Sequence, residues 1–206
     1  MKHNGDDKKT AILEAAFEVV ADKGYFQTTV ADVARKAGVA KGTVYLYFKD
    51  KPEIYIGLVD WLFEQAVANI REVDAEPLSA RDKLARILTD WSEYVLARPG
   101  AMSLLSFEDP KTHIAARAEE RLHATVLARM KEMVGGLSSI IKQGIAAGEF
   151  RDVNPVMAAL MFGMAFRMSV MVVQQELGVE HPQEVASDIL FQGLLAPATT
   201  ATQPRG

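Results

Sequence analysis

The chain has 206 residues, a net charge of -4, 49% hydrophobic and 24% charged residues, and no cysteine. That balance is ordinary for a globular protein and favours neither disorder nor a membrane protein, while the missing cysteines exclude disulfides, thiolate metal sites and cysteine nucleophiles. The polar start MKHNGDDKK is not followed by an apolar run, so no signal peptide is read and a cytoplasmic location is expected. The average charge conceals a division along the chain. Residues 1–51 carry nine Lys/Arg against seven Asp/Glu, and the remainder carries fourteen against twenty. Positive charge is therefore concentrated near the N-terminus, where a polyanionic partner would be met.

Apolar residues recur at spacings of three and four throughout and no period-two run is bounded by turn dipeptides, so the chain reads as all-α. Ile12, Ala15, Ala16, Val19 and Val20 form one stripe on a first helix, about 9–23, that ends at Lys23-Gly24. Thr29 is placed to cap a short second helix with Val30, Val33, Ala34 and Ala37 inward and Gly38 as its stop. After a turn of about three residues, a third short helix runs from Lys41 to Phe48, with Val44 and Phe48 on one face. Two short helices joined by a glycine turn make a helix-turn-helix.

Asp50 and Pro52 open a fourth helix to about Val73. A fifth runs from about Ser79 to Val95 and a short one spans about 101–107. The stretch 112–147 is again helical, with Gly135-Gly136 expected to bend it. Two helices close the pattern at 155–177 and 182–195, each with proline near its start, and the tail 198–206 is expected to be unstructured. The expected domains are a helix-turn-helix DNA-binding domain over 1–50 and a helical ligand-binding and dimerisation domain over 51–197.

The second helix of a helix-turn-helix can enter the major groove of DNA, so the outer face of the third helix should carry the recognition chemistry. Lys41 reaches phosphate or a guanine edge, Gly42 lets the backbone approach, and Thr43 offers a hydroxyl and a methyl to a base. Tyr45 and Tyr47 cannot both join the Val44–Phe48 face, so at least one ring points outward with a hydroxyl for phosphate. Lys51 is a further phosphate ligand. Thr28 and Thr29 stand at the N-terminus of the second helix, where free N–H groups attract an anion.

The order of residues from Thr28 to Lys51, TTVADVARKAGVAKGTVYLYFKDK, resembles the DNA-binding signature of the tetracycline-repressor (TetR) family of bacterial transcription regulators. The resemblance is close over about residues 9–60 and extends to the rest in length and helical layout. It implies that Lys41, Gly42 and Thr43 approach bases, and that Thr29, Tyr45, Tyr47 and Lys51 grip phosphates. Two departures stand out: Ala40 replaces a common serine cap of the third helix, and Pro52-Glu53 places proline where the family has acidic or polar residues.

The same resemblance implies a homodimer formed through helices 155–177 and 182–195, a palindromic double-stranded operator, repression rather than activation, and release by a small, mainly apolar effector. Aromatic residues and methionine are what an apolar cavity uses, so Trp61, Trp91, Tyr94, Met102, Phe107, Phe162, Phe166 and Met168 are its candidate lining. Arg167 joins them because a charge in an apolar helix needs an anionic ligand or an acidic partner such as Glu176 or Asp188. Met157, Met161, Met164, Met168 and Met171 repeat along one helix side, as a pocket wall or as core or dimer packing. Residues 155–173 are long enough to approach a membrane span, but Arg167 within them argues for burial by protein instead.

No enzyme motif competes. Glu120 and His123 have the spacing of one half of a carboxylate-bridged metal site, whose other half is missing, and no P-loop, dinucleotide fingerprint or serine elbow is found. No metal, cofactor or catalytic residue is expected. The alternatives are a helical protein-interaction module using the tyrosine face, or a helical enzyme acting on an apolar substrate.

Overall fold

The computed structural model describes residues 3–98, 116–175 and 177–194, and within them it contains eight helices and no strand. In chain order these are α1 (His3–Gln27), α2 (Val30–Lys36), α3 (Lys41–Tyr47), α4 (Lys51–Asp74), α5 (Ala80–Leu96), α6 (Ala116–Ala146), α7 (Pro155–Gln174) and α8 (Pro182–Leu194). The short helix expected at 101–107 and the tail 198–206 lie outside the described residues.

The described residues form two compact units. One gathers α1–α3, α4 up to Ala68, α5 from Glu93 and α6 up to Glu132, and the other gathers Asn69–Ser92, α6 from Met133, α7 and α8. In the first, Ile12, Ala16, Val33 and Val44 are almost or wholly withdrawn from solvent, which joins the stripes of α1, α2 and α3 into one core. Helix α1 starts six residues earlier than expected. Its regular run breaks at Gly24, whose φ of 78° is open to glycine at little cost. Gly57 of α4 is a close-approach glycine: a Cβ there would stand 2.8 Å from Cε1 of Phe48, so its absence lets Phe48 seat the end of α3 against α4.

Ion pairs tie α4 to α6 in this unit. Arg129 pairs with Asp60 at 2.7 Å and with Glu64, and Arg121 reaches Glu53 at 3.1 Å. Glu53 also accepts the Lys49 N–H at 2.9 Å, so one carboxylate holds both α6 and the loop that leaves α3. Hydrogen bonds from the Lys49 N–H and then from Arg121 lower its pKa from the ordinary carboxylate value.

In the second unit, α6 runs unbroken through Gly135-Gly136, which corrects the expected bend. The pair is helical because Gly136 serves contact and not flexibility: a Cβ there would meet Cγ2 of Ile70 at 2.7 Å. Gly144 is tighter still, with Cδ2 of Phe150 at 2.3 Å and Cβ of Ala80 at 2.8 Å from the position a Cβ would take. Gly144→Val is therefore expected to destabilise the fold by about 3 kcal/mol through overpacking, read as a lower urea midpoint. Gly135→Ala, with nothing within 4 Å of the new methyl, should stabilise it by about 0.5–1 kcal/mol.

Lys83 is buried in this unit, and its ammonium donates to the Asp74 carbonyl at 2.6 Å, the Asp74 carboxylate at 3.0 Å and Gln143 Oε1 at 3.2 Å. Three oxygens replace the water that burial removes. Helix α7 begins where Asn154 Oδ1 accepts the N–H groups of Val156 and Met157, with Pro155 in the first turn, and it packs on α8.

Candidate nucleic-acid interface

The helix-turn-helix is fixed at three points. Thr29 caps α2 in a capping box: its hydroxyl accepts the Asp32 N–H at 3.1 Å, and the Asp32 carboxylate accepts the Thr29 N–H at 3.0 Å. Asp32 also pairs with Lys23 at 2.5 Å and with Arg35. The Lys23 hydrogen bond, then those from Thr29, hold the Asp32 carboxyl well below the usual range, so it stays ionised and its contribution fades only as pH falls below ordinary carboxylate values. Gly38, at a φ of 67°, makes the turn.

Helix α3 follows without a side-chain cap, since Ala40 has none to give, and Thr43 N–H bonds to the Ala40 carbonyl at 2.8 Å. Val44 and Phe48 bury one side of this segment. The opposite side is open. Lys41 and Gly42 are exposed, Thr43 and Tyr47 are half-buried, and Tyr45 is exposed with the Lys41 ammonium 5.8 Å from its ring centre. Leu46, between the two tyrosines, is 82% exposed. It was not among the residues expected to meet DNA, although its place two residues after Val44 puts it about 200° round the helix.

Two expected phosphate ligands are directed elsewhere. Thr28 is buried and its hydroxyl donates to the Gly24 carbonyl at 2.8 Å, closing the kink of α1, which leaves its side chain no surface to offer. Lys51 donates to the Phe26 carbonyl at 2.9 Å and lies 4.4 Å over the Tyr25 ring. Burial, then the charge of Lys23, lower its pKa. The unmet carbonyls at the end of α1 draw this cation inward.

The residues expected to line an effector cavity fall into three places. Trp91 packs edge-on against Phe162, with ring centres 6.0 Å apart, and against Phe166 at 5.4 Å. Trp91 Nε1, Ser92 Oγ and Asn69 Oδ1 are buried with no hydrogen-bond partner among the described residues. Trp61 and Tyr94 lie in the other unit, along a groove that Phe17 and Arg98 also line, with Arg98 stacked 4.1 Å over the Tyr94 ring. Met168 is on neither. With Met157 and Met161 it borders an open apolar groove between α7 and α8, and it is 46% exposed because no described helix covers this face of α7. Arg167 is half-buried on α7, and Met102 and Phe107 lie outside the described residues.

Residues 12–58 match the family model described as bacterial regulatory proteins, tetR family. Over 145 residues the chain is 30% identical to the fatty acid metabolism regulator protein of Bacillus subtilis, which covers 70% of this chain and 72% of that protein. The chain belongs to the TetR family. A relative from Rhodococcus jostii, the HTH-type transcriptional repressor KstR2, is 28% identical over 159 residues, covering 75% and 74% of the two chains. The crystal structure of FadR from Bacillus subtilis in complex with stearoyl-CoA superposes with a TM-score of 0.71 at 25% identity, over 89% of this chain and 98% of that one.

As a TetR-family member the chain is a ligand-responsive, DNA-binding transcription regulator and not an enzyme. TetR-family regulators bind DNA operators and small-molecule effectors, typically as dimers, and they are soluble cytoplasmic proteins. The matched segment ends within α4, so it contains the whole capped helix-turn-helix described above.

Proposed function

We propose that the chain is a cytoplasmic, dimeric repressor that places α3 of each copy in the major groove of a palindromic operator and lets go when an acyl-CoA binds its helical domain. The observation that carries the DNA half is the outer face of α3, where Lys41, Gly42, Thr43, Tyr45 and Tyr47 are accessible while Val44 and Phe48 anchor the helix. Thr29 supplies a fixed helix N-terminus, and residues 1–50 form the DNA-binding domain. Residues 51–197 take the effector and dimerise. Repression follows the named activity of the KstR2 relative.

The dimer rests on α7. Residues Pro155–Val173 have a mean hydropathy of 2.0, enough in length and composition for a membrane helix, yet 28% of them are buried in the single chain. Arg167 disfavours lipid, and a second copy laid on Met157, Met161, Met164, Met168 and Met171, with Ile189 of α8, covers the exposed face. Of the two roles open to the methionine stripe, pocket wall or core and dimer packing, this assigns it to the dimer interface.

The effector class follows the stearoyl-CoA complex of the similar structure and the named role of the Bacillus subtilis relative. Trp91, Phe162 and Phe166 are an apolar wall for an acyl chain, and Trp91 Nε1 and Ser92 Oγ are buried groups able to meet its polar thioester end. Stearoyl-CoA at 100 times its dissociation constant should stabilise the protein by about 2.7 kcal/mol. That corresponds to a rise in Tm of roughly 5–10 °C, with release of bound duplex in a mobility-shift assay. An unchanged Tm with stearoyl-CoA and with shorter acyl-CoAs would refute the effector assignment and leave the DNA assignment standing.

A further inference from the structure

We infer that Leu46 is a specificity-determining residue that reads a thymine methyl group in each half of the operator. The inference rests on the proposed docking of α3 and adds to it the base feature that is read. Leu46 is 82% exposed, the highest value among the exposed large hydrophobic residues described, and it stands opposite Val44, which is fully buried. The helix side centred on it holds Gly42, where nothing lies within 4 Å of a would-be Cβ, and Tyr45, which is 47% exposed. With Val44 turned to the core, Leu46 is the foremost side chain of α3 towards a groove floor, and Gly42 one turn earlier removes the neighbour that would hold it away.

A leucine has neither donor nor acceptor, so it cannot read the hydrogen-bonding pattern of a base pair. The one apolar feature the major groove displays is the C5 methyl of thymine. Burying that methyl against the isobutyl group removes apolar area from both, whereas a cytosine at the same place presents an amino group that the leucine would desolvate without a partner. Lys41 and Tyr45, held together at 5.8 Å, are left to phosphate or a purine edge, so the helix divides its work between charge and methyl.

The test uses the full chain and duplexes selected from a randomised pool. In the best selected duplex each thymine is replaced in turn by deoxyuridine, which removes the methyl and nothing else. Binding is measured for the protein as it stands and for Leu46→Ala, whose melting curve should be unchanged because the side chain is exposed. The expected result is a loss of about fivefold per half-site at one symmetry-related thymine pair for the unaltered protein, and no further loss there for Leu46→Ala. A variant that loses as much affinity on the uridine duplex as on the thymine duplex overturns the inference while DNA binding stands. A pool in which no duplex is enriched overturns the DNA reading and this inference with it.

Discussion

Replacing Lys41 and Tyr45 together by alanine will weaken binding to a selected duplex by about 2–4 kcal/mol, roughly 30- to 1,000-fold. Lys41 supplies a cation at the start of α3 and Tyr45 supplies a hydroxyl on an exposed ring, and the two share a cation–π contact, so the double change removes both and leaves neither half-supported. Neither side chain is part of the core, so Tm should stay within about 1 °C of its starting value. The salt dependence discriminates between roles. If Lys41 neutralises a phosphate, the slope of log affinity against log salt falls by about 0.9 for each half-site. If it reads a guanine edge, sequence preference relaxes at that base pair instead. Unchanged affinity would remove α3 from the interface.

The second large effect concerns the dimer. Met161→Glu puts a carboxylate in the middle of the exposed methionine face of α7, where Met161 is 60% and Met164 59% exposed in the single chain. In solution as a monomer the change is tolerated, because the site is already in water. In a dimer it buries two like charges without partners, at a cost of several kcal/mol. Light scattering should report a doubling of the 22.6 kDa chain for the unaltered protein and a single chain for the variant. Operator affinity should collapse in parallel, since a monomer engages one half-site only. A variant that remains dimeric would move the interface away from α7.

Much of this was legible in the sequence wherever a local rule decides the outcome. Thr29, Gly38 and the uncapped Ala40 declare the ends of α2 and α3 because capping is chemistry between neighbours in sequence. The 3.6-residue stripes of α1, α4 and α5 likewise select Ile12, Leu58 and Ile87 for the core. What escaped is what depends on a remote partner. Gly135-Gly136 reads as a bend until Ile70 is seen against Gly136. Lys51 reads as a free cation until the Phe26 carbonyl, 25 residues upstream, is found beneath it. No local pattern marks Lys83, whose ammonium is buried among oxygens from Asp74 and Gln143. Leu46 escaped for another reason. An apolar residue between two tyrosines carries no hydrogen-bonding group to mark it for DNA, although the helical periodicity turns it outward.

The central claim, that α3 lies in the groove of the operator in two symmetric copies, can be tested through the absence of cysteine. Lys49→Cys, exposed just past α3, would carry a tethered hydroxyl-radical cleavage reagent, with Lys142→Cys on α6 as the control. The reagent at residue 49 should cleave the duplex at two symmetry-related positions, and the reagent at residue 142 should cleave it at none. Cleavage from 142, or a fully bound duplex left uncut from 49, would contradict it.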